Sequence, residues 1–177
     1  MIELLASWFT LTVITIITNS VFRYLIPSLA LVSGIYLVTF FTYLFSKLFA
    51  LPASLVFNML IIGFFIFLLV KKRLEWETLK QTLYTSFSLL VIWSNLCWYQ
   101  SLAPEIYWGE KYGEHGILTY LSNYDILPPS DPWCAKNQLR YYYLHYLYWA
   151  IITKSFDLNP SVVFNVAVAF TPSVCCV

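Results

Sequence analysis

The sequence predicts an all-α fold: a polytopic transmembrane helix bundle of about six spans, with one extracytoplasmic loop that carries a short amphipathic helix. Three observations predict it. Of the 177 residues, 60% are hydrophobic and 11% charged, and the mean hydropathy is +0.70. A soluble domain carries about a quarter charged residues, so this chain lacks the polar side chains to cover a water-facing surface. The apolar residues also come in runs close to the ~20 that a helix needs to cross ~30 Å of hydrocarbon. Finally, polar residues gather in one stretch, Pro104 to His145, which holds five of the nine carboxylates and both histidines.

The first apolar run extends from Leu4 to about Ile26, with Arg23 near its far end and Pro27-Ser28 as punctuation. The second covers about Leu29 to Phe45 and ends near Lys47; the third covers about Leu51 to Val70 and contains the amide Asn58. Helices are the assignment for each, because a lone strand cannot satisfy its backbone in lipid. A basic cluster follows, Lys71-Lys72-Arg73 with Lys80. The fourth run, about Leu83 to Leu102, has Trp93, Trp98 and Tyr99 in its second half, as expected of a helix nearing the headgroup belt. After the polar stretch, Tyr141 to about Thr153 forms a fifth run, Lys154 to Pro160 a turn, and Ser161 to Val177 a sixth run. The expected division is four transmembrane helices in 1–103, an extracytoplasmic loop in 104–140, and two further helices in 141–177. The last run stops without a polar tail, so the chain is expected to be the N-terminal part of a longer protein, and an inactive truncated product is one reading of it. Met1-Ile2-Glu3 has no basic residue before the first run, and no small-x-small site follows, so no cleavable signal peptide is expected.

Positive charge in short loops faces the cytoplasm. Placing Lys71, Lys72, Arg73 and Lys80 inside puts the N-terminus and the 104–140 loop outside, in a multi-pass protein of the cell membrane. The inside total is then six (Arg23, Lys71, Lys72, Arg73, Lys80, Lys154) against four outside (Lys47, Lys111, Lys136, Arg140). The bilayer is the partner that composition itself implies. A net charge of +1 gives no electrostatic case for nucleic acid. Cys97, Cys134, Cys175 and Cys176 show neither a disulfide framework nor a metal-spaced pattern.

Trp108 to Tyr120 reads as an amphipathic helix. Glu110 and Glu114 stand four apart on one face, Lys111 and His115 four apart on the adjoining one, and Ile117, Leu118 and Leu121 supply an apolar side. Asp131 precedes Pro132, which biases it to extended geometry and projects its carboxylate from a stiff turn. Three readings stay open for these groups. They form a solvated loop face; or one of Glu110, Glu114 and Asp131 is a general base toward a hydroxyl; or Glu110, Glu114, His115 and Asp131 hold a divalent cation and a phosphate. Arg140, Tyr141, Tyr142, Tyr143 and His145 likewise read either as an aromatic belt or as a headgroup site, with tyrosine faces for a sugar and Arg140 for a phosphate.

Several motifs in order resemble one family: Pro104-Glu105-Ile106, Glu110-Lys111 with Glu114, Pro128-Pro129-Ser130-Asp131-Pro132-Trp133, Tyr141-Tyr142-Tyr143-Leu144-His145, and Asn159-Pro160-Ser161 with Val163-Phe164-Asn165. They resemble the YYY (Chlor-Arch-YYY) family of prokaryotic multispanning membrane proteins, across essentially the whole chain. The sequence departs from that pattern in having Glu114 where the family usually has Asp, no basic residue near Gln100, and Cys134-Ala135-Lys136-Asn137 after the Asp-Pro-Trp segment. Family members are several times longer, so the chain corresponds to their N-terminal part.

That family in turn resembles C-type membrane glycosyltransferases, which use polyprenyl-phosphate sugars. The resemblance implies catalytic roles for Glu110, Asp131 and Glu114, with Glu110 the base candidate and Glu114 and Asp131 helping to hold substrate or metal. It also implies substrate binding by Lys111, Trp133, Arg140, Tyr141, Tyr142, Tyr143 and His145, with a divalent cation as the implied cofactor. The reading from another class is a non-enzymatic transport or structural membrane protein whose loop only binds.

Overall fold

The computed structural model describes residues 1–22, 27–70, 75–102, 109–124, 127–131, 134, 137–139 and 143–175, with backbone alone at 27, 28 and 109–111. Within them the chain is an all-helical bundle: α1 (Ile2–Val21), α2 (Pro27–Phe49), α3 (Ala53–Val70), α4 (Trp76–Ser101), α5 (Gly109–Asn123), α6 (Leu144–Ser155) and α7 (Pro160–Cys175). Three of these, Ile2–Val21, Leu29–Phe49 and Ala53–Val70, are long and apolar enough to cross a membrane. α4 has 26 residues, but its first turns carry Glu77, Lys80 and Gln81. α7 has 16 residues and α6 has 12, which at 1.5 Å per residue give about 24 and 18 Å.

The ends of the helices follow from local chemistry. Asn159 caps α7, its Oδ1 accepting the Ser161 N–H at 2.9 Å, and Pro160 sits at the first helical position, where no N–H is needed. α6 ends with Asp157 at φ 50°, after which the Leu158 N–H bonds back to the Thr153 carbonyl at 2.8 Å. α2 closes on Ala50 at φ 51° with Pro52 beyond it.

α1 is the axle. It touches α2, α3, α4, α6 and α7. Its buried positions include Ser7, Thr10, Thr12, Thr15, Thr18, Asn19 and Ser20. Four of the threonines donate to carbonyls one turn back, at 2.7 to 2.9 Å, which hides their hydroxyls from lipid. Asn19 reaches α4 instead, its Nδ2 donating to Thr82 Oγ1 at 3.1 Å, and the Trp8 indole donates to the Ser86 carbonyl at 2.8 Å. Such hydrogen bonds and close backbone approach hold helices together where apolar burial gives no advantage. Gly34 supplies the close approach of α2. A Cβ there would stand 2.5 Å from Thr18 Oγ1 and 2.7 Å from Ile14 Cγ2.

Trp93 locks α4 to the last two helices. Its indole donates to the Val166 carbonyl at 2.8 Å, and its ring meets Trp149 at 6.1 Å and Phe170 at 5.2 Å. α5 then lies on α6 and α7, burying Ile117, Leu118 and Leu121. This is the apolar side expected from the sequence, and it fixes which residues of α5 face the bundle.

Candidate functional site

Glu114 lies one turn before Leu118 on α5, and this places its half-buried carboxylate at the seam with α6 and α7. His145 lies in the first turn of α6. The two side chains line one cavity of about 280 Å³, walled by Leu118, Tyr146, Trp149, Phe164, Val168 and Thr171 among others. A carboxylate and an imidazole 31 positions apart therefore converge in one recess with aromatic walls.

Pro172 stands inside α7 and has no N–H, so the Val168 carbonyl lacks its usual intrahelical donor. The side chains that line the recess carry a carboxylate, which only accepts, the His145 imidazole and the Thr171 and Tyr146 hydroxyls, which accept or donate, and the Trp149 indole, which donates.

A second, larger cavity of about 530 Å³ adjoins it, lined by α2, α6 and α7 and sharing His145, Trp149 and Thr171 with the first. Val32, Tyr36, Phe40, Leu144 and Val174 make it apolar. Thr39 and Tyr148 are among its lining residues, and their hydroxyls are buried away from it with no hydrogen-bond partner among the described residues.

The other predicted residues fall elsewhere. His115 turns to the start of α7, with Nε2 3.0 Å from Ser161 Oγ and its ring edge-on to Phe164 at 5.5 Å. Asp131 lies in a hydrogen-bonded loop. Its N–H donates to the Asn137 carbonyl at 2.8 Å, and its Oδ1 accepts the Cys134 N–H at 3.2 Å. The neighbouring Ser130 hydroxyl meets both Tyr120 and Tyr124 of the α5 region, at 2.8 and 2.9 Å, tying the loop to that helix. Tyr143 is buried against Tyr43, with ring centroids 6.2 Å apart. Trp133, Arg140, Tyr141 and Tyr142 lie outside the described residues, as do the side chains of Glu110 and Lys111.

No three His, Cys, Asp or Glu side chains gather at metal-holding distance among the described residues. His115 and Asp131, two of the four metal candidates, are engaged with Ser161 and with the Cys134 amide respectively. The cavity members that sequence reasoning passed over are Tyr146, Trp149, Ala167, Val168 and Thr171. The available signal was Pro172, a proline in the interior of an otherwise apolar helical run.

Residues 35–177, which are 143 of the chain's 177, match a protein family described as uncharacterized membrane protein (DUF2298). No curated protein and no solved structure matches the chain.

Proposed function

The chain belongs to the family of uncharacterized membrane proteins DUF2298, and on that premise we propose that it is glycosyltransferase-like, moving a sugar from a polyprenyl-phosphate donor to a hydroxyl. The observation that carries the reading is the convergence of Glu114 and His145 on one recess beside an apolar groove. A transfer of this kind needs a base for the acceptor hydroxyl, and a partly buried carboxylate next to an imidazole is suited to it. The acceptor oxygen attacks the anomeric carbon and its proton passes to the Glu114 carboxylate. The bond from that carbon to the phosphate oxygen breaks, and polyprenyl phosphate leaves with the bonding electrons. His145 orients the hydroxyl.

In this reading Glu110 stands one turn before Glu114 as a second carboxylate, and Lys111 and Arg140 meet the lipid phosphate. Trp133, Tyr141 and Tyr142 offer faces to the sugar. Asp131 is a scaffold residue, since its carboxylate serves the Cys134 amide. The basic cluster at 71–73 supports an extracytoplasmic position for the site and for the N-terminus. The resemblance to the YYY proteins makes Glu110 the base candidate, and Glu114 takes the role in this reading because its side chain lines the recess.

The test is transfer of labelled sugar from polyprenyl phosphate in membrane vesicles containing the chain. Glu114→Gln is expected to lower the rate about 10²-fold or more, and an unchanged rate sinks the assignment. A second reading, a binding or transport protein without chemistry, is favoured by the apolar groove being the larger of the two cavities. It predicts ligand binding with no transfer in the wild-type chain.

A further inference from the structure

α3 is the most apolar of the three candidate spans and the one least covered by the rest of the bundle. One amide interrupts it. Asn58 stands five residues in from Ala53, about 8 Å along the helix at 1.5 Å per residue, so it lies inside the apolar run. Its side chain is exposed and has no hydrogen-bond partner among the described residues. Three other helical amides of the chain are engaged: Asn19 donates to Thr82, and Asn95 and Asn123 donate to carbonyls one turn back. A carboxamide held in lipid without a partner is costly, because an acyl chain neither donates nor accepts.

The position of Asn58 selects a stripe. Leu55, Asn58, Ile62, Phe65 and Leu69 follow one another at alternating steps of three and four, and all five are exposed. Such steps keep one seam turned toward a neighbouring helix packed at about +20°, and one asparagine in a seam of this kind fixes the register and the number of strands. Beside the stripe runs a groove of about 350 Å³, with Phe9, Thr10 and Val13 of α1 as its other wall. The Thr10 hydroxyl already donates to the Ala6 carbonyl.

We infer that this face of α3 is an interface between two copies of the chain, paired in parallel about a two-fold axis along the membrane normal, with the two Asn58 amides hydrogen-bonded to each other. Copies inserted in the same orientation carry Asn58 at the same depth. A carboxamide has an acceptor oxygen and two N–H donors, so it is its own complement. In an antiparallel pair the two amides would stand about 10 Å apart in depth. The interface is isologous: the stripe of each copy enters the groove between α1 and α3 of the other. An acyl chain in that groove would leave the amide unsatisfied. The inference is independent of the reading of the Glu114–His145 recess.

The experiment uses the full chain in phosphatidylcholine vesicles. Cys97, Cys134, Cys175 and Cys176 are replaced by serine, one cysteine is introduced along α3, and disulfide-linked dimers are counted after oxidation with copper phenanthroline. Leu55→Cys, Ile62→Cys, Phe65→Cys and Leu69→Cys are expected to crosslink. Phe67→Cys, equally exposed but on the opposite side of the helix from Asn58, is expected not to. Adding Asn58→Leu to Ile62→Cys should weaken dimerisation about three- to thirtyfold, the worth of an interhelical hydrogen bond in lipid, while Asn58→Gln keeps it within about twofold.

Energy transfer between wild-type copies labelled at the N-terminal amine, read over a series of protein-to-lipid ratios, repeats the test if the serine-substituted chain does not fold. Transfer that rises with that ratio and falls in Asn58→Leu supports the interface. Equal crosslinking at Ile62→Cys and Phe67→Cys overturns it, as does dimerisation that Asn58→Leu leaves unchanged. Copies that stay monomeric at every ratio leave this face to lipid or to another helix, and overturn it as well.

Discussion

Two carboxylates from the same polar stretch meet opposite fates. Glu114 lines a cavity next to a histidine, with room for another molecule beside it. Asp131, seventeen residues later, is held in a loop where its oxygen receives the Cys134 amide and its own N–H reaches Asn137. The difference teaches that residue type does not assign a role. A carboxylate that serves a turn holds the fold, and one whose surroundings leave space can act on a ligand. The loop around Asp131 also bears on the cavity, because Ser130 ties it to Tyr120 and Tyr124 and so steadies the helix that carries Glu114.

The comparison breaks first in a double-mutant cycle. If Glu114 and His145 act as a unit, the Glu114→Gln/His145→Gln pair should lose no more transfer than Glu114→Gln alone, a fall of about 10²-fold or more. Additive losses would mean that the two groups work separately. His145→Gln by itself should cost about 10-fold, the value of one hydrogen bond to a charged group. Kinetics in vesicles over a range of acceptor concentrations read both.

On the loop side the expected losses are in stability. Ser130→Ala removes the shared partner of two tyrosine hydroxyls and should cost about 1–2 kcal/mol of unfolding free energy, with transfer close to wild type. The Cys134 thiol is exposed and accepts a hydrogen bond from Asn137 Nδ2 at 3.3 Å, so its rate of maleimide labelling reports loosening of the loop. The smallest effect is expected at Pro172. Pro172→Ala returns an N–H to the Val168 carbonyl. Sugar transfer should stay within about twofold of wild type while the helix becomes more stable, as read by thermal unfolding. A less stable helix would contradict this reading of Pro172.

The sequence made the helices legible because apolarity and proline mark them. The runs at Leu4, Leu29 and Leu51 correspond to α1, α2 and α3, with Pro27 and Pro52 at the joints. The start of α4 was harder to see. Its first turns mix Glu77, Lys80 and Gln81 with apolar residues, so hydropathy alone begins the helix at Leu83 rather than Trp76. The interior of the bundle was not legible at all. α3 is the most apolar of the three candidate spans and the least buried, at 22%, while the threonine-rich α1 is the most buried, at 56%. In lipid, small and hydrogen-bonding residues such as Gly34, Thr18 and Asn19 decide which helix goes inside, and a hydropathy reading ranks them low.

The same limit applies to the site. Glu114 and His145 stood out as residue types in a polar stretch. That they share a recess depends on α5 folding back along α6, which no spacing in the chain records. His115 was a metal candidate by type, and its Nε2 stands 3.0 Å from Ser161 Oγ, a neighbour that no spacing in the chain records.

The central claim is that Glu114 acts on a ligand and Asp131 holds the fold. Both are made neutral amides of the same shape, Glu114→Gln and Asp131→Asn, and assayed side by side for sugar transfer in the same vesicle preparation. The account predicts a loss of about 10²-fold or more for Glu114→Gln and a rate within about threefold of wild type for Asp131→Asn. The reverse order, with transfer lost in Asp131→Asn and retained in Glu114→Gln, would contradict it.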